Sequence, residues 1–282
     1  MSVLVTGGAG RLGYQVIKLL SEEGYSSRAY DLPGVNWEPL EQIRNVSMHK
    51  GDITNPISVE KSLKGVESIV HLAALLPPVS ERDGDHTYSV NVGGTQNLIS
   101  ASGVDVKIVL ASSISVYGVT AEESPPIRED HELVPHNNYS RSKILAEQTV
   151  KESRERHTIL RVAPISMVDL IELPETIPYR GDQRVEFVLD EDAAKAFVNS
   201  LEEGNSEIYN ISGGETWQMR GEEYINRFYD SLGVEVEPNF SEKYTAVDWY
   251  STEKSKALDY QRTSFMQFEE RLEALGEEMG LR

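Results

Sequence analysis

The 282-residue chain contains no cysteine, which removes disulfides, thiolate metal sites and cysteine nucleophiles. Positive charge is scarce: 27 Lys and Arg face 46 Asp and Glu, a formal net charge of −19. Such a surface repels a phosphate backbone, so no nucleic-acid partner is expected. No run approaches the roughly eighteen apolar residues of a membrane span, so no membrane partner is expected either. Met1-Ser2 leads directly into Val3-Leu4-Val5 with no basic and apolar leader, and the expectation is a soluble, cytoplasmic protein. The histidines at 49, 71, 86, 131, 136 and 157 form no i, i+4 pair, and no metal site is expected. His71, closing an apolar run, reads as a satisfied core histidine.

What the chain has is alternation. Val3 to Thr6, Ser27 to Asp31, Val46 to Lys50, Ser68 to Leu72, Val106 to Ala111 and Thr158 to Val162 read as strands, being β-branched or aromatic and bounded by Gly, Asp or Pro. Arg11 to Glu23, Ile57 to Leu63, His86 to Ser102 and Asn138 to Arg156 carry apolar residues at three- and four-residue spacing and read as helices. Strand and helix in turn make a doubly wound α/β sheet. After Arg161 the punctuation by Pro164, Pro174, Pro178 and Gly181 marks a connection crossing the sheet edge. A helix from Glu191 to Glu202 and a strand from Glu207 to Ile211 return to the sheet. A small lobe then holds a helix near Gly221 to Leu232 and a last helix with Thr263 as N-cap. The expected division is a dinucleotide-binding domain of residues 1–163 plus about 186–212, and a substrate lobe of 164–185 plus 213–282.

Thr6-Gly7-Gly8-Ala9-Gly10-Arg11-Leu12-Gly13 joins the first strand to the first helix. Gly7 permits the tight turn, Gly10 lets the backbone approach a pyrophosphate, and Gly13 allows close helix–sheet packing, while the helix N-terminus offers N–H donors. Asp31 ends the second strand, 18 residues beyond Gly13, where an acidic side chain takes the ribose hydroxyls. It favours NAD. Arg11 and Arg28 lie close enough in sequence to keep NADP as the less favoured cofactor.

Tyr139 and Lys143 sit one helical turn apart on one face. An ammonium beside a phenol, helped by the positive nicotinamide ring, favours phenolate and draws the tyrosine from about 10 towards working pH. Ser112-Ser113 ends the fifth strand, and the carboxyl ends of such strands face the cofactor crevice. A serine hydroxyl there can hydrogen-bond a reacting oxygen, while tyrosine exchanges its proton.

These motifs resemble the extended short-chain dehydrogenase/reductases, the NAD-dependent epimerase/dehydratase family with its Rossmann fold. The resemblance rests on the glycine turn, Gly51-Asp52-Ile53, His71-Leu72-Ala73-Ala74, Asn91-Val92-Gly93-Gly94-Thr95, Ser112-Ser113-Ile114-Ser115-Val116-Tyr117-Gly118 and Tyr139-Ser140-Arg141-Ser142-Lys143. It resumes in Phe187 to Ala194, Tyr209 to Gly214 and Asp248-Trp249-Tyr250. By that similarity Arg11 and Leu12 belong to the cofactor turn, Asp52 and Ile53 hold the adenine, Leu72, Ala73 and Ala74 line the cofactor path, and Asn91 lies near the cofactor. Ser113 is then the catalytic serine, Tyr139 the acid/base and Lys143 the ligand of the nicotinamide ribose. The resemblance also implies a homodimer, paired through the helices at 86–102 and 138–156.

The departures narrow the activity. Dehydratases of the family carry Asp-Glu after the catalytic hydroxyl residue, whereas this chain has Ile114-Ser115, so dehydration is disfavoured. The segment between Arg161 and Glu186 is short for a surface that encloses a nucleotide diphosphate. Arg180, Arg184 and Arg220 offer a substitute anion site or surface ion pairs. Trp217, Trp249 and Tyr250 read as lobe core or as a stacking wall. Pro77-Pro78 and Asp83 to Asp85 read as a surface loop or as a border of the substrate pocket. The expected function is an epimerase-like NAD-dependent oxidoreductase acting on a sugar or nucleotide sugar. The alternatives are a dehydrogenase or reductase of a small polar carbonyl compound, and an NAD-binding sensor without turnover.

Overall fold

The computed structural model describes every residue except 154–155, 170–173 and 204. In chain order the elements are β1 (Ser2–Thr6), α1 (Arg11–Glu22), β2 (Ser26–Asp31), α2 (Glu38–Glu41), β3 (Val46–Lys50), α3 (Pro56–Ser62) and β4 (Ser68–His71). They continue with α4 (Gly84–Tyr88), α5 (Gly94–Ala101), β5 (Lys107–Ser113), α6 (Asn138–Ser153), β6 (His157–Val162), β7 (Ile165–Ser166), β8 (Arg184–Val185) and β9 (Val188–Leu189). The last are α7 (Asp190–Asn199), β10 (Glu207–Ile211), β11 (Met219–Arg220), α8 (Gly221–Leu232) and α9 (Phe265–Glu278).

Seven parallel strands form one sheet in the order β10-β6-β5-β4-β1-β2-β3. This is the doubly wound Rossmann arrangement. The period of two along each strand sends alternate residues to opposite faces. Val3, Val5, Ala29, Val70 and Val109 join the core under α1 and α7, whereas Leu4, Ile69, Ile108 and Ile159 join the core under α3, α5 and α6. Helix α1 buries Gly13, Val16, Ile17 and Leu20, the three- and four-residue spacing of one helical face. Strand order reverses between β1 and β4, and their carboxyl ends open the crevice where such sheets bind ligands.

A third core lies outside the sheet. Ile177, Tyr179, Val185, Leu189, Trp217, Met219, Tyr224, Phe228, Phe265 and Phe268 pack together, with Phe187 stacked on Tyr224 at 4.2 Å between ring centroids. Trp217 is completely buried there. Tyr250 joins the core under α1 and α7, while Trp249 is half-buried.

Two local expectations are corrected. Ser264, not Thr263, caps α9, with its hydroxyl accepting from the Gln267 N–H at 3.3 Å and the Gln267 side chain closing a capping box. The N–H of Thr263 is committed instead to the Asp192 carboxylate, 3.0 Å away. The stretch expected as one helix from His86 to Ser102 is α4 and α5 joined by a π-helical turn, Ser89–Gly93. That extra residue in the turn rotates Asn91 inward, where it is 2% exposed.

Glu186 is wholly buried where the lobe meets the sheet, and accepts from the N–H groups of Gly214 and Tyr250 at 2.9 and 2.8 Å and from Gln218 Nε2 at 3.1 Å. Burial pushes its carboxyl up to about 7 from an ordinary 4.5, against those donors. A raised folded-state value gives stability that is complete below the unfolded value and lost as pH rises through the folded one. Relative to Glu186→Gln, the native protein is expected to lose up to about 3 kcal/mol between about pH 5 and about pH 8. Urea unfolding of both proteins at the two pH values checks this; a difference that does not change with pH contradicts it.

Candidate active site

The glycine turn follows β1 with its backbone committed to shape. Gly7 takes φ +69°, in the left-handed region. A Cβ on Gly13 would lie 2.1 Å from the Gly7 carbonyl oxygen, so the close packing at Gly13 is against the turn itself rather than the sheet. Gly8, given no role by the spacing, meets the sheet instead, with Ala29 3.0 Å from its would-be Cβ. A Cβ on Gly10 would meet only the Gly7 carbonyl, at 3.2 Å, and otherwise stand in open space before the first N–H groups of α1. A bare backbone cradle at a helix N-terminus fits a pyrophosphate.

Asp31 closes the turn from the side. Its carboxylate accepts the N–H groups of Ala9 at 3.1 Å and Leu32 at 2.8 Å, and remains partly exposed. Arg28 points its guanidinium to the carbonyls of Ser62 and Lys64, while exposed Arg11 reaches Asp169 at 3.7 Å. Leu12 is half-buried against the core. Further along the crevice, exposed Asp52 accepts from the Thr54 N–H and hydroxyl at 2.8 Å, and buried Ile53 packs on Gly94. Leu72 and Ala73 donate their N–H groups to the carbonyl and hydroxyl of Thr6, which fixes the Leu72–Ala74 segment beside the glycine turn. His71 is buried between the hydroxyls of Thr6 and Thr95, at 2.8 and 2.9 Å, and burial holds it down at about 3. Asn91 grips Leu75 through both its amide atoms and donates to Ser142 at 2.9 Å, tying the loop after β4 to α6.

Ser113, Tyr139 and Lys143 come together. Ser113 ends β5 and caps a 3-10 turn, Ile114–Tyr117, by accepting the Ser115 N–H at 3.2 Å. Its side chain lies beside the phenol of Tyr139 and favours the ionised form. Lys143 Nζ lies 5.7 Å from the centre of the Tyr139 ring and donates to the Ala111 carbonyl at 2.9 Å. Burial opposes the expected lowering of the phenol. It pushes Tyr139 up to about 12, against the influence of Ser113, and brings Lys143 down to about 8, opposed by the Glu147 charge.

Glu81 is a residue that sequence reasoning missed. Its carboxylate accepts the N–H groups of Asn138 and Tyr139 at 3.0 and 3.1 Å, capping the first turn of the helix that carries the tyrosine. The loop after β4 is thereby tied to α6 through Glu81, while Pro77, Pro78, Asp83 and Asp85 are themselves exposed on the surface. The arginines are mostly spoken for. Arg184 forms a two-pronged pair with buried Asp248 and reaches three carbonyls; Arg180 pairs with Asp182 at 2.7 and 2.8 Å. Arg220 donates to the Asp182 carbonyl and lies over Trp249, without a carboxylate partner among the described residues. Among the described residues no group of three acidic or histidine side chains could hold a metal, and no helix is long and apolar enough to cross a membrane.

The chain resembles known proteins in sequence and in fold. The UDP-glucose 4-epimerase of Azospirillum brasilense is 32% identical over 172 residues, 57% of this chain and 47% of that protein. The rat 3 beta-hydroxysteroid dehydrogenase type 7 is 33% identical over 167 residues, 54% of this chain and 48% of that protein. The chain thus spans about half the length of the curated relatives it matches. The crystal structure of Thermotoga maritima UDP-glucose 4-epimerase with UDP-glucose superposes with a TM-score of 0.83 at 23% identity, covering 99% of each chain, a likeness of fold. The model of the NAD dependent epimerase/dehydratase family matches residues 3–171, well over half of the chain. With its glycine turn, its serine at the end of β5 and its tyrosine and lysine on α6, the chain belongs to the NAD-dependent epimerase/dehydratase family.

Proposed function

We propose that this chain is an epimerase-like oxidoreductase that works on a hydroxyl-bearing carbon of a sugar or nucleotide sugar, with NAD as cofactor and Tyr139 as acid/base. The meeting of Ser113, Tyr139 and Lys143 at the carboxyl ends of the central strands carries this reading. The turn at Gly7, Gly10 and Gly13 would hold the pyrophosphate, Asp31 the adenine ribose, and Lys143 the nicotinamide ribose. Bound NAD supplies a hydride acceptor at the nicotinamide ring. With the phenol lowered by the positive charges of Lys143 and of the bound cofactor against the burial that raises it, Tyr139 would take the proton of the substrate hydroxyl, and Ser113 would hydrogen-bond the reacting oxygen. A sensor without turnover would not need a tyrosine partly buried against Ser113 beside an ammonium.

Arg28 spends its Nη1 on the carbonyls of Ser62 and Lys64, and the Asp31 carboxylate would repel a 2′-phosphate, which supports NAD over NADP. Replacing Asp31 with Ala is expected to lose that preference. It also frees the Ala9 N–H, so NAD affinity falls by roughly tenfold, the size of about one charge-assisted hydrogen bond. Calorimetric titration with both cofactors checks this, and an unchanged preference contradicts the role given to Asp31.

A specific observation favours a second reading, a dehydrogenase or reductase of a polar compound without a diphosphate. With Arg180 and Arg184 paired internally, Arg220 is left as the available guanidinium of the three. UDP-glucose, UDP-N-acetylglucosamine and the free sugars, each incubated with excess NAD, discriminate the readings. Isomerised sugar without net NADH supports the first; NADH rising with substrate supports the second; neither with any of them contradicts both for this substrate class. Leu145, 37% exposed on α6, supports pairing of that helix with a second copy, but no large apolar side chain between 84 and 101 is exposed. Light scattering tests the homodimer.

A further inference from the structure

We propose that the buried ion pair of Glu147 and Arg161 is a positioning clamp that holds Tyr139 and Lys143 in register with Ser113. The proposal rests on the catalytic reading of those three residues. Glu147 lies one turn beyond Lys143 on α6 and is wholly buried; Arg161, on β6, is 2% exposed. The pair is two-pronged, Nε to Oε1 at 2.9 Å and Nη2 to Oε2 at 2.8 Å. Ser112 donates its hydroxyl to the same Glu147 Oε1 at 2.6 Å. Arg161 Nη1 donates to the Tyr117 hydroxyl at 3.0 Å and the Glu129 carbonyl at 2.9 Å, and Tyr117 donates to Asn210 Oδ1 at 2.6 Å.

Ser113 is thereby bracketed. Ser112 before it bonds to the carboxylate, and Tyr117, at the end of the turn that Ser113 caps, bonds to the guanidinium. The helix carrying Tyr139 and Lys143 supplies the carboxylate itself. A buried ion pair adds little net stability over apolar groups of the same volume, but its hydrogen bonds are directional and fix angles and register. Here the elements so fixed are the two that must keep a serine and a tyrosine within hydrogen-bond reach.

Two variants test this without a known substrate. Ser112→Ala removes the tie to β5 and leaves every charge in place. Glu147→Leu/Arg161→Met replaces the whole clamp by apolar volume. Each protein is labelled with carbon-13 at tyrosine Cζ, and the Tyr139 signal is assigned by its loss in Tyr139→Phe. The ionisation midpoint of Tyr139 is then followed with and without NAD. The charged or titratable groups around it are Lys143 and Glu147 on α6, Glu81 at the helix start, His71 on β4 and Arg161 on β6. Loss of register moves Ser113 away from the phenol that it lowers, so the midpoint with NAD bound rises, by about one pH unit in the double variant and less in Ser112→Ala. Ser112→Thr restores it. NAD affinity stays within roughly threefold, because the glycine turn belongs to β1. An unchanged midpoint in the double variant overturns the clamp; if that variant does not fold, an unchanged midpoint in Ser112→Ala does so. A native midpoint that fails to fall when NAD is added contradicts the catalytic reading instead, and leaves the comparison among variants intact.

Discussion

Tyr139→Phe is expected to lower turnover by roughly 10²–10⁴-fold while leaving NAD affinity within about threefold of the native protein. The phenol oxygen lies beside Ser113, and its removal would take away the proposed proton carrier. The ring remains to fill its place, and the backbone N–H of residue 139 stays on Glu81. The glycine turn and Asp31, proposed to hold NAD, lie across the crevice after β1 and at the end of β2 and are untouched. Steady-state rates with the substrate found among the sugars and UDP-sugars, beside calorimetric titration with NAD, give both numbers. Equal turnover in the two proteins would remove Tyr139 from the chemistry. A parallel loss of NAD binding would make the residue structural.

The second large effect is on stability. Glu147→Leu alone leaves the Arg161 guanidinium buried with only the Tyr117 hydroxyl and the Glu129 carbonyl as partners. Stranding one member of a buried pair costs about 3–5 kcal/mol, whereas replacing both members by apolar groups is often close to neutral. Urea unfolding should therefore rank Glu147→Leu far below the native protein and below Glu147→Leu/Arg161→Met. The double replacement falling as far as the single one would contradict this, because the cost would then lie in lost packing rather than in an unpaired charge.

The sheet was legible because its signal is local. Val3-Leu4-Val5 is a run buried on both faces, and Val16, Ile17 and Leu20 repeat with the helical period, so each element announces itself within a dozen residues. Glycine turn, Asp31 and the Tyr139–Lys143 pair were legible for the same reason, each being a short pattern whose flanking elements could be checked. The parts that escaped depend on contacts far apart in sequence. Glu81 reaches a helix 58 residues later, and Arg184 meets Asp248 across 64 residues. A lone Glu or Arg carries no mark of such a partner. Thr263 and Ser264 are both able to cap a helix, and the choice falls to Ser264 because Asp192, on a distant element, takes the Thr263 N–H. The π-helical turn at Ser89–Gly93 contains no proline to announce it. The burial that opposes ionisation of Tyr139 was not legible, because the helical spacing shows its lysine but not the surroundings of its ring.

The central claim is that the crevice at the reversal of strand order binds NAD with its reactive ring against the tyrosine and lysine of α6. A crystal structure of the protein soaked with NAD tests it most directly. The account predicts the pyrophosphate on the N–H groups of the Gly7–Gly13 turn, a ribose on Asp31, and the nicotinamide ring beside Ser113, Tyr139 and Lys143. A pyrophosphate seated elsewhere, or a nicotinamide ring turned away from Tyr139, would contradict it.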